Sequence, residues 1–273
     1  MAAVKPKKAL GQHFLTDLGI ADRIASTLDS YENLPVVEVG PGMGVLTRFL
    51  LEKHPAELVK VVEIDSESVD YLKSHFPELA AGEGRIVEGD FLRMDSRELV
   101  PESVSEKFCV IGNYPYNISS QIFFKVLDWK ERVVCCSGML QKEVAERLAA
   151  SPGTKARGIL SVLLQAWYDV EYLFTVSEHV FNPPPKVKSG VVRLTRNSVS
   201  SLGCDEALFK TVVKTTFGQR RKTIRNSLKS LLPPGSPLPE TALAALRPEQ
   251  LSVEQFVELT NLVAQVRAAS TPR

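Results

Sequence analysis

From residue 17 onward the apolar positions switch repeatedly between helical spacing and short continuous runs. DLGIADRIASTLD (17–29) and GVLTRFLLEK (44–53) carry the helical period, while VVEVG (36–40) and LVKVVEID (58–65) read as buried strands. A helix at 66–76 with Ser66 as its capping residue, strands at 84–90 and 107–113, a helix at 118–128 and a strand at 132–140 continue the alternation. Helices near 141–150 and 158–168 precede two further strands, 170–176 and 189–196. Strand and helix in alternation predict an α/β fold with a Rossmann-like, doubly wound and mainly parallel sheet. No long helix separates the last two strands, so they are expected to lie antiparallel at one sheet edge. Beyond residue 198 the strand pattern stops, and helical stretches at 205–216, 219–232 and 252–268 are divided by PPGSPLPE. The expected organisation is a sheet domain over 1–197 with a basic N-terminal arm, and a small all-helical domain over 198–273.

Chemistry concentrates at the strand ends. Gly40, Gly42 and Gly44 stand between the first buried strand and its helix, where glycine lets backbone amides approach a ligand at the positive end of a helix. A glycine turn alone is weak evidence. The next strand ends about twenty residues later in Glu63-Ile64-Asp65, where an acid can accept two hydrogen bonds from ribose hydroxyls. A third ends in Gly89-Asp90-Phe91, with Asp90 placed to accept from an adenine amine and Phe91 to pack beside it. The dinucleotide pattern G-x-G-x-x-G needs glycine at 45, where this chain has Val45, so a pyrophosphate is disfavoured. Acids on successive strand ends, without lysine or arginine in the glycine loop, suit a ligand with a cationic centre, a ribose and an adenine. S-adenosylmethionine has all three, which makes 1–197 the expected cofactor-binding and catalytic domain.

The strand at 107–113 breaks into Asn113-Tyr114-Pro115-Tyr116. An exocyclic aromatic amine is a poor nucleophile because its lone pair is delocalised into the ring. The Asn113 amide oxygen and the Tyr114 carbonyl are suited to accept its two N–H groups and draw the lone pair out of conjugation. Pro115 would fix the direction of that carbonyl. Tyr116 offers a stacking face for a flipped base, a contact worth about 1–3 kcal/mol. A plain turn also uses asparagine and proline, but this one falls at a strand end beside the cofactor crevice.

LGQHFLTD, EVGPGMGVLT, EID, GDF, GNYPYNISSQIFFKVL, MLQKEVAERL and VFNPPPKVKSGVVRL occur in this order. Together they resemble the KsgA-type small-subunit ribosomal RNA adenine dimethyltransferases, over nearly the whole chain. The resemblance implies dimethylation of two adjacent adenines in a hairpin loop near the 3′ end of small-subunit (16S) rRNA, on a late pre-30S assembly particle. It also places His13, Leu15, Gly40, Glu63, Asp90 and Asn113 at cofactor contacts, Asn113 and Tyr116 in the catalytic motif, and Phe181 as a loop aromatic closing the far face of the target base. His13 stands where many relatives have asparagine, and Tyr114 where leucine or isoleucine is frequent. Two other readings share these motifs: an Erm-type enzyme acting on large-subunit rRNA, and a non-catalytic RNA-binding assembly factor.

Charge locates the expected RNA contacts. Lysine and arginine nearly balance the acids, leaving a net charge of +1, so an anionic partner must be met by a local cluster. FGQRRKTIRNSLKSLL (217–232) supplies Arg220, Arg221, Lys222, Arg225 and Lys229 with no acid among them; on one helix, 221, 225 and 229 would form a basic stripe opposite Phe217, Ile224, Leu228 and Leu231. Lys5, Lys7 and Lys8 add a basic arm, and PPPKVK (183–188) reads as a rigid rim. Cys109, Cys135, Cys136 and Cys204 lack metal-ligand spacing and suit free thiols in a reducing compartment. With no membrane-length apolar run and no export signal, the expected location is the cytoplasm. Nothing in the motifs assigns a metal to the chemistry.

Overall fold

The structure is a computed structural model and describes residues 4, 6, 7 and 10–270. The strands are β1 (Phe14–Leu15), β2 (Val36–Val39), β3 (Val59–Glu63), β4 (Ile86–Glu88), β5 (Phe108–Asn113), β6 (Val133–Gln141), β7 (Tyr168–Val176), β8 (Phe181–Asn182) and β9 (Ser189–Arg196). Seven of them form one sheet in the order β4-β3-β2-β5-β6-β9-β7, and β1 pairs with β8 in a separate two-stranded ladder. From β4 to β6 every neighbouring pair is parallel. β2 and β5 are near-continuous buried runs, as expected where helices cover both faces. The chain winds outward from β2 through β3 to β4, then returns to the other side of β2 as β5. That reversal opens a crevice at the carboxyl ends of β2 and β5.

The last two long strands are neighbours at one edge of the sheet, as expected. β9 lies between β6 and β7 and is antiparallel to β6, with β7 outermost. The helix at Ser66–His75 has Asp65, not Ser66, at its N-cap; the Asp65 carbonyl accepts from Val69 N–H, and its Oδ2 accepts from the Ser68 hydroxyl at 2.8 Å. Cys109, Cys135 and Cys136 are free and fully buried, and Cys204 is half-buried. Burial pushes the Cys135 and Cys136 thiols up to about 12, which leaves them protonated.

The chain divides into two compact units, 1–146 with 169–196, and 147–168 with 197–273. The second therefore takes in Arg147–Tyr168, which the strand count had assigned to the sheet domain. Arg157 explains the attachment. Its guanidinium is fully buried and donates to Ala150 O at 2.7 Å, Gln165 Oε1 at 2.6 Å and Leu251 O at 3.2 Å, tying the 147–168 segment to the chain just before the Val253–Ala269 helix. A buried guanidinium donating to two backbone carbonyls and a side-chain amide oxygen holds these segments in one register.

Within the second unit the expected 219–232 helix is broken. The Glu206–Gly218 helix ends, residues 219–222 turn, and a short helix restarts at Ile224–Ser227 behind Thr223, whose extended backbone makes it the N-cap. The turn is stabilised by Lys222 N–H to Gln219 O at 2.8 Å and by the Gln219 side chain to Ser227 O at 3.1 Å. Arg221, Arg225 and Lys229 consequently lie on a turn, a helix and a 3-10 segment rather than along one stripe, while Ile224 and Leu228 are buried as expected.

Candidate active site

The ends of β2, β3, β4 and β5 and the segment 10–15 surround a cavity of about 200 Å³. The glycine turn at its floor is shaped by two close approaches. At Gly42 (φ +56°) an added Cβ would lie 2.8 Å from the Phe14 ring, and at Gly44 (φ +74°) one would lie 2.3 Å from the Phe76 ring. Gly44 is also the N-cap of the Val45–Lys53 helix. Gly44→Ala combines a left-handed backbone with an overpacked contact, so it is expected to lower unfolding free energy by about 2–4 kcal/mol in urea titrations.

Three acids face this cavity. Glu63 is buried, and its carboxylate accepts from the backbone N–H groups of Gly42 and Asp65, each at 3.0 Å. Burial raises its pKa, and these two amides offset part of the rise. Asp90 caps the Phe91–Arg93 turn through Oδ1 to Leu92 N–H at 3.0 Å and keeps its second oxygen within 3.4 Å of exposed Arg93. The third acid, Glu38 on β2, was not singled out in the sequence. It is fully buried, accepts from the Thr47 hydroxyl at 2.6 Å, and burial raises its pKa to about 8. Its signal was available: one acid inside the apolar run VVEVG.

The Asn113–Tyr116 turn forms the opposite wall. Asn113 Nδ2 donates to the His13 carbonyl at 3.0 Å. Tyr114 points its side chain away from the site into the core, where its hydroxyl donates to Ser137 O at 2.8 Å and its ring meets Phe123 edge-on. Gly112 and Gly138, opposite each other in the β5–β6 ladder, make room for that ring; a Cβ on Gly138 would sit 2.5 Å from it. The Tyr114 N–H is fixed to Met139 O at 2.9 Å. Tyr116 is half-buried, its hydroxyl bonded to Ser189 Oγ at 2.6 Å and its ring 5.4 Å from the His13 imidazole.

The structure brings His13, Leu15, Gly40, Gly42, Glu63, Ile64, Asp90, Phe91, Asn113, Tyr114, Pro115 and Tyr116 to one cavity. Ile64 is 53% exposed, an apolar side chain left open at the rim, and Phe91 packs edge-on against Trp129. Phe181 is not part of the wall. It lies opposite Leu15 in the β1–β8 ladder, 4% exposed and packed in the apolar core. Lys7 pairs with Asp65 and, at 3.1 Å, with Glu67, which commits it to the protein; Lys5 and Lys8 lie outside the described residues. In the second unit Arg221, Lys222 and Arg225 are exposed, whereas Arg220 donates to Lys155 O at 2.5 Å and faces Glu249 at 3.6 Å.

The comparisons agree with this geometry. The family model described as "Ribosomal RNA adenine dimethylase" matches residues 3–265. The chain is 67% identical over 267 residues to "Ribosomal RNA small subunit methyltransferase A" of Parabacteroides distasonis, covering 97% of this chain and 96% of that protein. Among solved structures, a dimethyladenosine transferase from Plasmodium falciparum aligns with TM-score 0.70 at 26% identity, over 90% of this chain and 96% of that one. The 23S rRNA methyltransferase ErmE aligns with TM-score 0.66 at 26% identity, over 92% of this chain and all of its own. An α/β sheet whose strand ends gather acids and an Asn-Tyr-Pro-Tyr turn at one cavity, with a family match spanning nearly its whole length, places this chain in the ribosomal RNA adenine dimethylase family.

Proposed function

We propose that this enzyme transfers methyl groups to N6 of two adjacent adenines in the hairpin loop near the 3′ end of small-subunit rRNA. It acts in the cytoplasm on a late pre-30S particle. The observation that carries the reading is the fixed Asn113 amide at the edge of an acid-lined cavity. The small-subunit assignment draws on the name of the 67%-identical relative.

The cofactor is S-adenosylmethionine, and the donor set fits it. Among the described residues the cavity wall contains Glu38, Glu63 and Asp90 but no lysine or arginine, which favours a cation over a phosphate. Glu63 is positioned for the ribose hydroxyls, Asp90 for the adenine amine between apolar Ile64 and Phe91, and Glu38 for the positive methionine end. Bound there, the cofactor supplies an electrophilic methyl group.

The chain's own work is alignment. Asn113 Oδ1 and the Tyr114 carbonyl accept the two N–H bonds of the target amine, which frees its lone pair for in-line attack. Pro115 stiffens the turn, and the Tyr116 ring supports the flipped base. No early general base is required, because the amine becomes acidic only as the new N–C bond forms.

Arg221, Lys222 and Arg225 are assigned to RNA phosphates. The triple alanine variant is expected to weaken RNA binding and to reduce the slope of log affinity against log salt by about 2–3, with cofactor affinity unchanged. Filter binding across a salt series measures both.

The test of function is tritiated methyl transfer to undermethylated small subunits, with large subunits in parallel, followed by nucleoside analysis. N6,N6-dimethyladenosine confined to small-subunit RNA is the expected product. Label in the large subunit instead makes this an Erm-type enzyme. Cofactor binding without label in either makes it a non-catalytic RNA binder.

A further inference from the structure

A tyrosine ring supports a base only where its own direction is set. The side chain of Tyr116 has two torsions: χ1 swings the whole ring, and χ2, a broad sp³–sp² torsion, spins it about its own axis. The phenol oxygen lies on that axis. A bond to the oxygen therefore fixes the swing, and a neighbour beside the ring limits the spin.

Both restraints are present. The hydroxyls of Tyr116 and Ser189 meet at 2.6 Å, a distance at which one donates to the other. The His13 imidazole lies 5.4 Å from the Tyr116 ring at an interplanar angle of 33°. At the root of the side chain, the Ser119 hydroxyl donates to the Tyr116 carbonyl at 3.3 Å. Ser189 is fully buried and stands behind the cavity wall that Tyr116 lines, so it meets Tyr116 and not the substrate. Its own place is set by the sheet. Ser189 opens β9 opposite Gln141 at the end of β6, and one residue on Lys142 N–H donates to Lys188 O at 2.9 Å. β9 lies between β6 and β7, and a group carried on such a strand is placed more precisely than one on a loop.

We propose that Ser189 is a positioning residue for methyl transfer: its buried hydroxyl pins the Tyr116 phenol, so that the stacking face stands in place before the target base arrives. A ring already in place need not be ordered when the base binds, and it holds the base's amine in register with Asn113. This inference rests on the methyl-transfer reading above and deepens it by naming what holds Tyr116.

Stacking and pinning make different demands on residue 116. Stacking needs only a ring, so an unpinned face works equally well in Tyr116→Phe, whereas a pinned one does not. Tyr116→Phe is expected to lower kcat roughly three- to tenfold, with KM for the RNA substrate and cofactor affinity little changed. Ser189→Ala lowers kcat by a similar factor. The double variant is no slower than either single one, because both remove the same bond. A second readout needs neither cofactor nor RNA: NMR relaxation of isotope-labelled tyrosine rings in the full chain, with the Tyr116 signal assigned by its loss in Tyr116→Phe, shows this ring less ordered in Ser189→Ala than in the wild type. Should Ser189→Ala fail to fold, Tyr116→Phe leaves the strand untouched and decides the matter through kcat. The proposal is overturned by wild-type kcat in Tyr116→Phe, by single losses that multiply in the double variant, or by a Tyr116 ring equally ordered with and without the Ser189 hydroxyl. A wild-type chain that transfers no methyl group refutes the function reading, and the ring order then decides the pin by itself.

Discussion

Asn113→Ala should cut methyl transfer by about 10²–10³-fold in single-turnover assays at saturating RNA, with RNA affinity unchanged. The loss follows from the chemistry of the amine. With Oδ1 gone, one N–H of the target has no acceptor, the lone pair stays in the ring, and the Tyr114 carbonyl alone cannot hold the nitrogen in line. Asn113→Asp separates acceptor from tether. It keeps an oxygen acceptor but has no N–H for the His13 carbonyl, which then faces a second acceptor where a donor stood at 3.0 Å. Asp should therefore rescue little of the rate. Turnover near the wild-type level in Asn113→Ala would remove Asn113 from the account of amine activation; in Asn113→Asp it would remove only the tether to the His13 carbonyl.

The parts of the site legible in the sequence are those that the sheet forces together. β2, β3, β4 and β5 run parallel, so whatever follows each strand arrives at the same edge; Gly40, Glu63, Asp90 and Asn113 could be grouped from their places in the alternation alone. What escaped has no periodic signature. The acceptor that orients Asn113 is a backbone oxygen 100 residues away in sequence, and no side-chain pattern encodes it. The family resemblance makes Phe181 a loop aromatic; its pairing with Leu15 is a long-range contact of two residues on each side, which no local pattern encodes. The broken basic helix was a failure of periodicity. Arg221, Arg225 and Lys229 keep helical spacing, but Gly218 before them and Thr223 among them supply a stop and a restart. Arg157, a charged residue at zero exposure, drew 147–168 into the second unit against the strand-based boundary.

Glu38 carries the second large effect, on stability and on cofactor binding in opposite directions. Burial raises its carboxyl from 4.5 to about 8, with the Thr47 hydroxyl lowering it and the nearby Glu63 raising it further. A carboxyl whose folded pKa lies above its unfolded pKa binds protons more tightly in the folded chain. Its contribution to stability is therefore fully present below about pH 4.5 and is lost as pH rises through about 8. At 1.36 kcal/mol per pKa unit the full loss is on the order of 5 kcal/mol, and Glu63, also raised, adds in the same direction. Glu38→Gln is uncharged throughout and should raise the melting temperature of the cofactor-free protein at pH 8.5 while leaving it little changed at pH 5. Calorimetric scans of both proteins across that range measure the difference. Cofactor affinity should move the other way. A cation beside Glu38 favours the ionised carboxylate, so S-adenosylmethionine binding below pH 8 releases a proton, detectable as a dependence of the binding enthalpy on the ionisation heat of the buffer. Glu38→Gln should lose both that proton release and much of the affinity. If the variant gains no stability at pH 8.5, Glu38 is not the buried acid whose ionisation strains the cofactor-free fold; if it gains stability and still releases the proton on binding, the charge that meets the cofactor belongs to Glu63.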